Sequence, residues 1–217
     1  MSRTEKDSLG PRQIPDGVYY GIQTDRAIEN FPISGLRAHP RFIDAYLIIK
    51  KAAAMANQKA GLLPEHHSQA LIQACDEILG GKYRDQFPVD VFQMGAGTAF
   101  NMNVNEVIAN RANEILGAKI GSYSPIHPND HANMGQSTND TFPTAVRIGL
   151  LLILKEAFHE PLEALENEFF KNAFSRDSSG PYKDSFKINK SAMRIAVGNV
   201  SLVDWPILAW SFGWTGL

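Results

Sequence analysis

Gln136-Ser137-Thr138-Asn139-Asp140, with Pro143 three residues further on, decides how this chain is read. The five residues carry amides and hydroxyls, and the stretch after them is a long apolar helix pattern. Proline is tolerated in the first turn of a helix, where its missing N–H would have no partner, and Ser, Thr, Asn and Asp are the residues that cap such an end. Unpaired first-turn N–H groups, the positive end of the helix dipole and the side-chain donors would then converge on one carboxylate or phosphate. An ordinary capped helix is the plainer reading of a lone string of this kind, so the rest of the chain has to decide. From Pro143 onward, Val146, Leu150, Ile153, Leu154, Ala157, Phe158, Leu162, Leu165 and Phe169 recur at helical spacing. An interior proline removes a backbone hydrogen bond, so Pro161 predicts a kink near Ala157 to Pro161. The broad stripe needs other helices to cover it, from this chain or from other subunits.

Two further helices precede it. Ile43, Leu47 and Ala54 mark one from about Phe42 to Ala60, stopped by Gly61. Pro64 opens the next, with Leu71, Ile72, Cys75, Ile78 and Leu79 on one face and Gly80-Gly81 at its end. The two are expected to pair antiparallel. Phe87 to Phe92 reads as a short strand or extended segment, and a third helix is expected from Met102 to Leu116 with Gly117 as its stop. Residues 1–40, rich in Gly and Pro, read as an extended, wrapping arm. Cys75, the single cysteine, sits in an amphipathic pattern and is expected to be a buried thiol.

Polar turns recur beside these helices. Gly95-Ala96-Gly97-Thr98 is a small-residue turn that would let backbone N–H groups approach a ligand, and Asn101, Asn103 and Asn105 follow it. His127-Pro128-Asn129-Asp130-His131 is a third cluster, whose spacing does not suit a metal site. Three such turns read better as parts of one anion pocket than as coincidences. The whole chain has 217 residues, 44% hydrophobic and 20% charged, with 21 basic against 23 acidic side chains. That balance lacks the basic excess that binds nucleic acid, and favours a small-molecule partner. The polar start Met1-Ser2-Arg3-Thr4-Glu5-Lys6-Asp7 lacks the apolar core of a signal peptide, which predicts a cytoplasmic protein with no membrane association.

Tyr19-Tyr20-Gly21-Ile22-Gln23-Thr24, Arg26-Ala27-Ile28-Glu29-Asn30-Phe31, Phe87-Pro88-Val89-Asp90-Val91, Gly95-Ala96-Gly97-Thr98, Asn101-Met102-Asn103, Asn105-Glu106-Val107, His127-Pro128-Asn129-Asp130 and Ser137-Thr138-Asn139-Asp140 together resemble the fumarase/aspartase superfamily in order and spacing. The likeness runs from about Lys6 to Phe170. Tyr19-Tyr20-Gly21, the Phe87 string and Ala96 look more like the aspartate ammonia-lyase branch, because class II fumarases more often have a tryptophan near the first and a serine at the last. The resemblance implies a mainly α fold, with a helical N-terminal domain over 1–140 leading at 141–171 into the first long helix of a central bundle. It also implies a homotetramer, a small dicarboxylate substrate, and no cofactor or metal. In the family a base removes the proton next to a carboxylate, an aci-carboxylate dianion forms, and ammonia or water leaves; the site must stabilise that extra charge. By likeness, Thr98, Ser137, Thr138 and Asn139 bind the substrate, while His127, Asn129 and Asp130 resemble a neighbouring second anion site.

The pattern then stops. The family's Gly-Arg-Thr-His-Leu-Gln segment and its Gly-Ser-Ser loop, which carries the serine base, have no counterpart here, so no catalytic residue is assigned in this chain. All three tryptophans, Trp205, Trp210 and Trp214, lie in the stretch 172–217, which reads as an atypical tail. Asp204, Pro206 and several glycines argue against a membrane span there. A frameshift or truncation near residue 171 is the expectation, with a genuine variant tail as the alternative. A Thr-His-Leu-Gln type segment should then appear in another frame of the coding sequence beyond Phe170, and its absence from both other frames would remove the idea.

Overall fold

The chain's structure, a computed structural model, describes residues 1–175, with side chains through Glu168. Most of the sequence expected to be an atypical tail lies outside these residues. Two compact units are distinguished, Met1–Leu152 and Ile153–Leu217. In the first, strands β1 (Ser2–Asp7) and β2 (Gly10–Pro15) are followed by helices α1 (Ile22–Asn30), α2 (Pro40–Lys59), α3 (Glu65–Leu79), α4 (Thr98–Ile115) and α5 (Thr138–Ile153). A helix α6 (His159–Ser175) follows in the second. The fold is mainly α, as the sequence predicts.

Helices α2, α3 and α4 form the core, α3 packing against both of its neighbours. Leu47, Ala54, Leu71, Ala74, Cys75, Ile78, Val104, Ile108 and Ala112 fill it. Cys75 is fully buried, as expected, and burial pushes its thiol up to about 12. Helices α2, α3 and α4 end where their sequences place a stop. At the end of α2, Gly61 adopts a positive φ of 74°, its N–H bonds Gln58 O, and the Leu62 N–H reaches Asn57 O. This paired closure satisfies carbonyls that the last turn leaves open, and the same arrangement ends α3 at Gly81 and α4 at Gly117. Segment 87–92 forms no ladder strand: it has a single antiparallel bridge between Asp90 and Arg37 and bends at Val91 and Phe92.

The N-terminal region differs from the expected arm. It holds an antiparallel hairpin, in register from Ser2 opposite Pro15 to Asp7 opposite Gly10, and the nine-residue α1. Of the two strands only Glu5 and Ile14 are buried, so the apolar alternation that announces a strand is missing. Polar contacts hold the hairpin instead. Arg3 donates to the carbonyls of Pro15, Val18 and Tyr20 and pairs with Glu5, while Arg26 grips Asp7 through two hydrogen bonds of 2.8 and 2.7 Å.

Glu106, buried within α4, joins this region to the core. Its carboxylate accepts from the N–H groups of Gly21, Gln23 and Thr24 and from the Thr24 hydroxyl, all between 2.6 and 3.0 Å. Glu5 takes the Ile22 N–H and the Tyr123 hydroxyl beside it. The open N–H groups of α1 are thus satisfied by carboxylates of the protein itself. Gly21 has to be glycine there, since a Cβ would lie 2.8 Å from Glu5 Oε2 and 2.9 Å from the Glu106 carboxyl carbon.

Helix α5 starts at Thr138, before the expected Pro143, which becomes an interior residue. The second unit also departs from one continuous helix. Leu154–Phe158 forms a π turn, with the His159 N–H bonded to Leu154 O, ahead of α6. Pro161 lies in the first turn of α6, where its missing N–H is tolerated, so the irregularity precedes it instead of surrounding it.

Full burial outweighs the four donors and raises the Glu106 carboxyl to about 7. The fold therefore favours the protonated acid. Its contribution to stability is complete below the ordinary carboxyl range, near pH 4.5, and is lost as pH rises toward 7, by about 3 kcal/mol in all. Glu106→Gln should remove this pH dependence from urea unfolding curves while lowering stability at pH 5. A variant curve parallel to the parent's across pH 4.5 to 7 would contradict the assignment.

Candidate functional site

Thr98 and the Ser137–Asn139 turn come from two helix starts that press against each other. Gly97, the residue before α4, has a φ of 72°, and a Cβ there would sit 1.9 Å from a ring carbon of Phe142 in α5. Only glycine permits this approach. Phe142 also belongs to an aromatic group, with ring centroids 5.1 Å from Phe42 to both Phe100 and Phe142 and 5.4 Å from Tyr46 to Phe100. The group seats α2, α4 and α5 on one another. Helix α4 begins at Thr98 rather than Met102, which places Thr98 at its first position.

Polar contacts complete the arrangement. Asn133, just before the Gln136–Asp140 stretch, accepts through one oxygen, Oδ1, from Lys50 Nζ of α2 at 2.9 Å and from Asn101 and Asn105 of α4 at 3.1 and 3.3 Å. Its amide donates to Gln136 O. Tyr46 and Thr141 meet through their hydroxyls at 3.2 Å. Lys50 is 2% exposed, and burial pulls its ammonium down to about 7. The sequence reading missed Lys50, although it shares a helical face with Ile43, Leu47 and Ala54, where a lysine is out of place. Asn101 and Asn105 stand out in the sequence beside the glycine turn, whereas Asn133 had no signal beyond its polarity.

At the start of α5, Ser137 behaves as the cap. Its hydroxyl oxygen accepts from the Asn139 N–H, and its carbonyl accepts from Asp140 and Thr141. The Ser137 O–H proton stays available to donate. Among the described residues no hydrogen bond engages the hydroxyls of Thr98 and Thr138 or the side-chain amide of Asn139. Ser137 and Asn139 are exposed, and Thr98 and Thr138 half-buried. Four side-chain donors at two abutting helix starts thus have no acceptor among the described residues.

The third polar turn is organised differently. Residues Pro128–Ala132 form a single π turn capped by His127, whose Nδ1 accepts from the Asn129 and Asp130 N–H groups. Those backbone donors, which an anion would use, are already occupied. His127 Nδ1 also lies 3.3 Å from Asp130 Oδ2. The turn leads straight into Asn133, so it adjoins the first two through the Asn133 oxygen. Among the described residues no group of three His, Cys, Asp or Glu side chains is arranged to hold a metal ion, and no helix is long and apolar enough to cross a membrane.

Residues 10–177 match a family model described as Lyase. An aspartate ammonia-lyase of Bacillus sp is 53% identical over 79% of this chain and 36% of its own length. A class II fumarate hydratase of Halobacterium salinarum is 51% identical over 81% and 37%. Among solved structures, a fumarate lyase:delta crystallin protein from Brucella melitensis superposes with a TM-score of 0.74 at 51% identity, covering 80% of this chain and 40% of the other. A class II fumarase from Schistosoma mansoni gives 0.75 at 35% identity, covering 80% and 36%. The chain therefore spans little more than a third of the length of the curated relatives it matches.

Gly97→Ala should separate the two helix starts. We expect a loss on the order of 2–4 kcal/mol from overpacking and the positive φ, and partial recovery in Gly97→Ala/Phe142→Ala relative to the sum of the single changes. Strict additivity in denaturant unfolding would show that the two residues do not press on each other.

Proposed function

Because this chain belongs to the fumarase/aspartase superfamily of lyases, we propose that it supplies one wall of a site for the reversible elimination of ammonia from L-aspartate to give fumarate. Thr98, Ser137, Thr138 and Asn139 bind the substrate's carboxylates. The observation that carries the reading is the set of four unengaged donors at the abutting starts of α4 and α5. Donors fixed before the reaction stabilise the extra charge of the aci-carboxylate better than mobile water does. In the reaction a base takes the proton from the carbon beside one carboxylate. The electron pair left behind forms the new double bond, and the C–N pair departs with the ammonia. The base is assigned to a part of the family's length that this chain does not match, and the site is completed in a homotetramer. His127, Asn129 and Asp130 are a secondary anion site at most, since His127 already holds the turn's N–H groups.

Hydration of fumarate to malate is the second reading, favoured by the class II fumarases among the relatives at similar identity. Ala96, where those enzymes more often have serine, supports aspartate. Both reactions place a four-carbon dicarboxylate on the same donors.

Two measurements test the proposal. Fumarate formation should be absent with the purified chain alone from either aspartate or malate, and turnover by the chain would overturn the assignment of the base elsewhere. Titration with succinate, followed by amide NMR, should shift Thr98 and residues 137–139 saturably. Ser137→Ala or Asn139→Ala should weaken that binding about tenfold, the worth of one hydrogen bond to a charged group. Equal binding by parent and both variants would remove these residues from the site.

A further inference from the structure

Two residues one turn apart on α2, Tyr46 and Lys50, brace the segment that carries the Ser137–Asn139 turn, one from each side. The Tyr46 hydroxyl meets the hydroxyl of Thr141, two residues beyond Asn139, at 3.2 Å. Lys50 Nζ donates to Asn133 Oδ1 at 2.9 Å, and the Asn133 amide donates to Gln136 O, the carbonyl directly before Ser137. Two hydrogen bonds thus connect the Lys50 nitrogen to the peptide of Ser137. We propose that Lys50 is the positioning residue of the Ser137–Asn139 donors and that its ammonium is the countercharge for the dicarboxylate, so that the chain takes up a proton from solvent when the dicarboxylate binds. The inference rests on the reading of Thr98 and residues 137–139 as the substrate's donors.

The surroundings of Nζ set this lysine apart from one that only fills the core. A buried ammonium is ordinarily paired with a carboxylate. Among the described residues Lys50 has none. Its hydrogen bond is to Asn133, the Tyr46 ring centroid lies 5.9 Å from Nζ, and Cys75 of α3 is the ionisable group that acts on it. Burial keeps both Tyr46 and Cys75 neutral, each pushed up to about 12. From α4 only the neutral amides of Asn101 and Asn105 reach the shared oxygen. In the π turn, His131 takes the His127 N–H and lies against the His67 ring, while Asp130 pairs with His127. The positive charge therefore has no counterpart among the described residues.

A dianion on the donors provides one. Charges in a low-dielectric interior are screened far less than charges across water, so two carboxylates held at the start of α5 favour the charged form of Lys50. Burial alone brings the Lys50 ammonium down to about 7. At pH 8 the amine is thus mostly neutral before binding and gains a proton on binding. Because the dicarboxylate selects the protonated form, affinity falls as pH rises above 7. Carboxyl groups are ionised throughout that range, so the trend belongs to the protein.

Calorimetric titration of the full chain with succinate at pH 8, in two buffers of different ionisation enthalpy, counts the protons taken up. About half a proton per succinate is expected, with affinity about fivefold weaker at pH 8.5 than at pH 7. Lys50→Met should abolish the uptake. Asn133→Asp gives Lys50 a carboxylate that keeps it charged, and should abolish it too, which preserves the test if the methionine variant fails to fold. Glu106→Gln removes the other buried group that titrates near 7, on the far side of α4, and should leave the uptake unchanged. A lysine that only holds the fold would link no proton to binding. No uptake by the parent, unchanged uptake in Lys50→Met or Asn133→Asp, or loss of uptake in Glu106→Gln would overturn the inference and leave the donor reading intact. Failure of succinate to bind at either pH would overturn the donor reading, and the inference with it.

Discussion

A single carbonyl oxygen, Asn133 Oδ1, is where the interior of this chain is tied together. It receives an ammonium from α2 and two amides from α4, and the backbone that carries it continues directly into α5. A buried lysine is costly, and one left without an acceptor would be costlier still. That cost makes the geometry specific. If the 127–140 segment shifted, Lys50 and both asparagines would lose their shared acceptor together. The Ser137–Asn139 turn is therefore held by a contact whose loss the core cannot absorb, although the turn itself is exposed.

A second buried ionisable side chain does similar work at the other side of α4. Glu106 closes the N-terminus of α1, and Glu5 reaches the same place from the hairpin. Helix α4 thus carries polar anchors on two sides within one and a half turns, Asn101 and Asn105 toward Asn133 and Glu106 toward Gly21. Its middle positions are almost all buried, amides included. The asparagine-rich run 101–105 serves mainly to bind α4 to its neighbours, while Thr98 at its tip is half-buried.

The sequence made some of this legible and hid the rest for identifiable reasons. Helices α2 and α3 were readable within two residues at each end because Pro64 and the closing glycines coincide with apolar periodicity. The hairpin was hidden because its stability comes from Arg3, Arg26 and buried Glu5, which leave no alternating pattern. The start of α5 was placed at Pro143 because proline favours a first turn, whereas Ser137 had already capped the helix. Thr98, Ser137, Thr138 and Asn139 stand out in the sequence, and they lie at two abutting helix starts. The means of holding them there, Lys50 and Asn133, were not found, since an isolated lysine in an apolar face and a lone asparagine in a loop reveal their partner only in three dimensions.

Cys75 gives this architecture a use of its own. It is the chain's only thiol, it lies at the centre of the α2–α3–α4 core with no exposed surface, and its burial keeps it un-ionised. A thiol reagent added to the native protein therefore modifies only molecules whose core has opened. The chain carries a built-in clock for its own breathing, with one hand and no background.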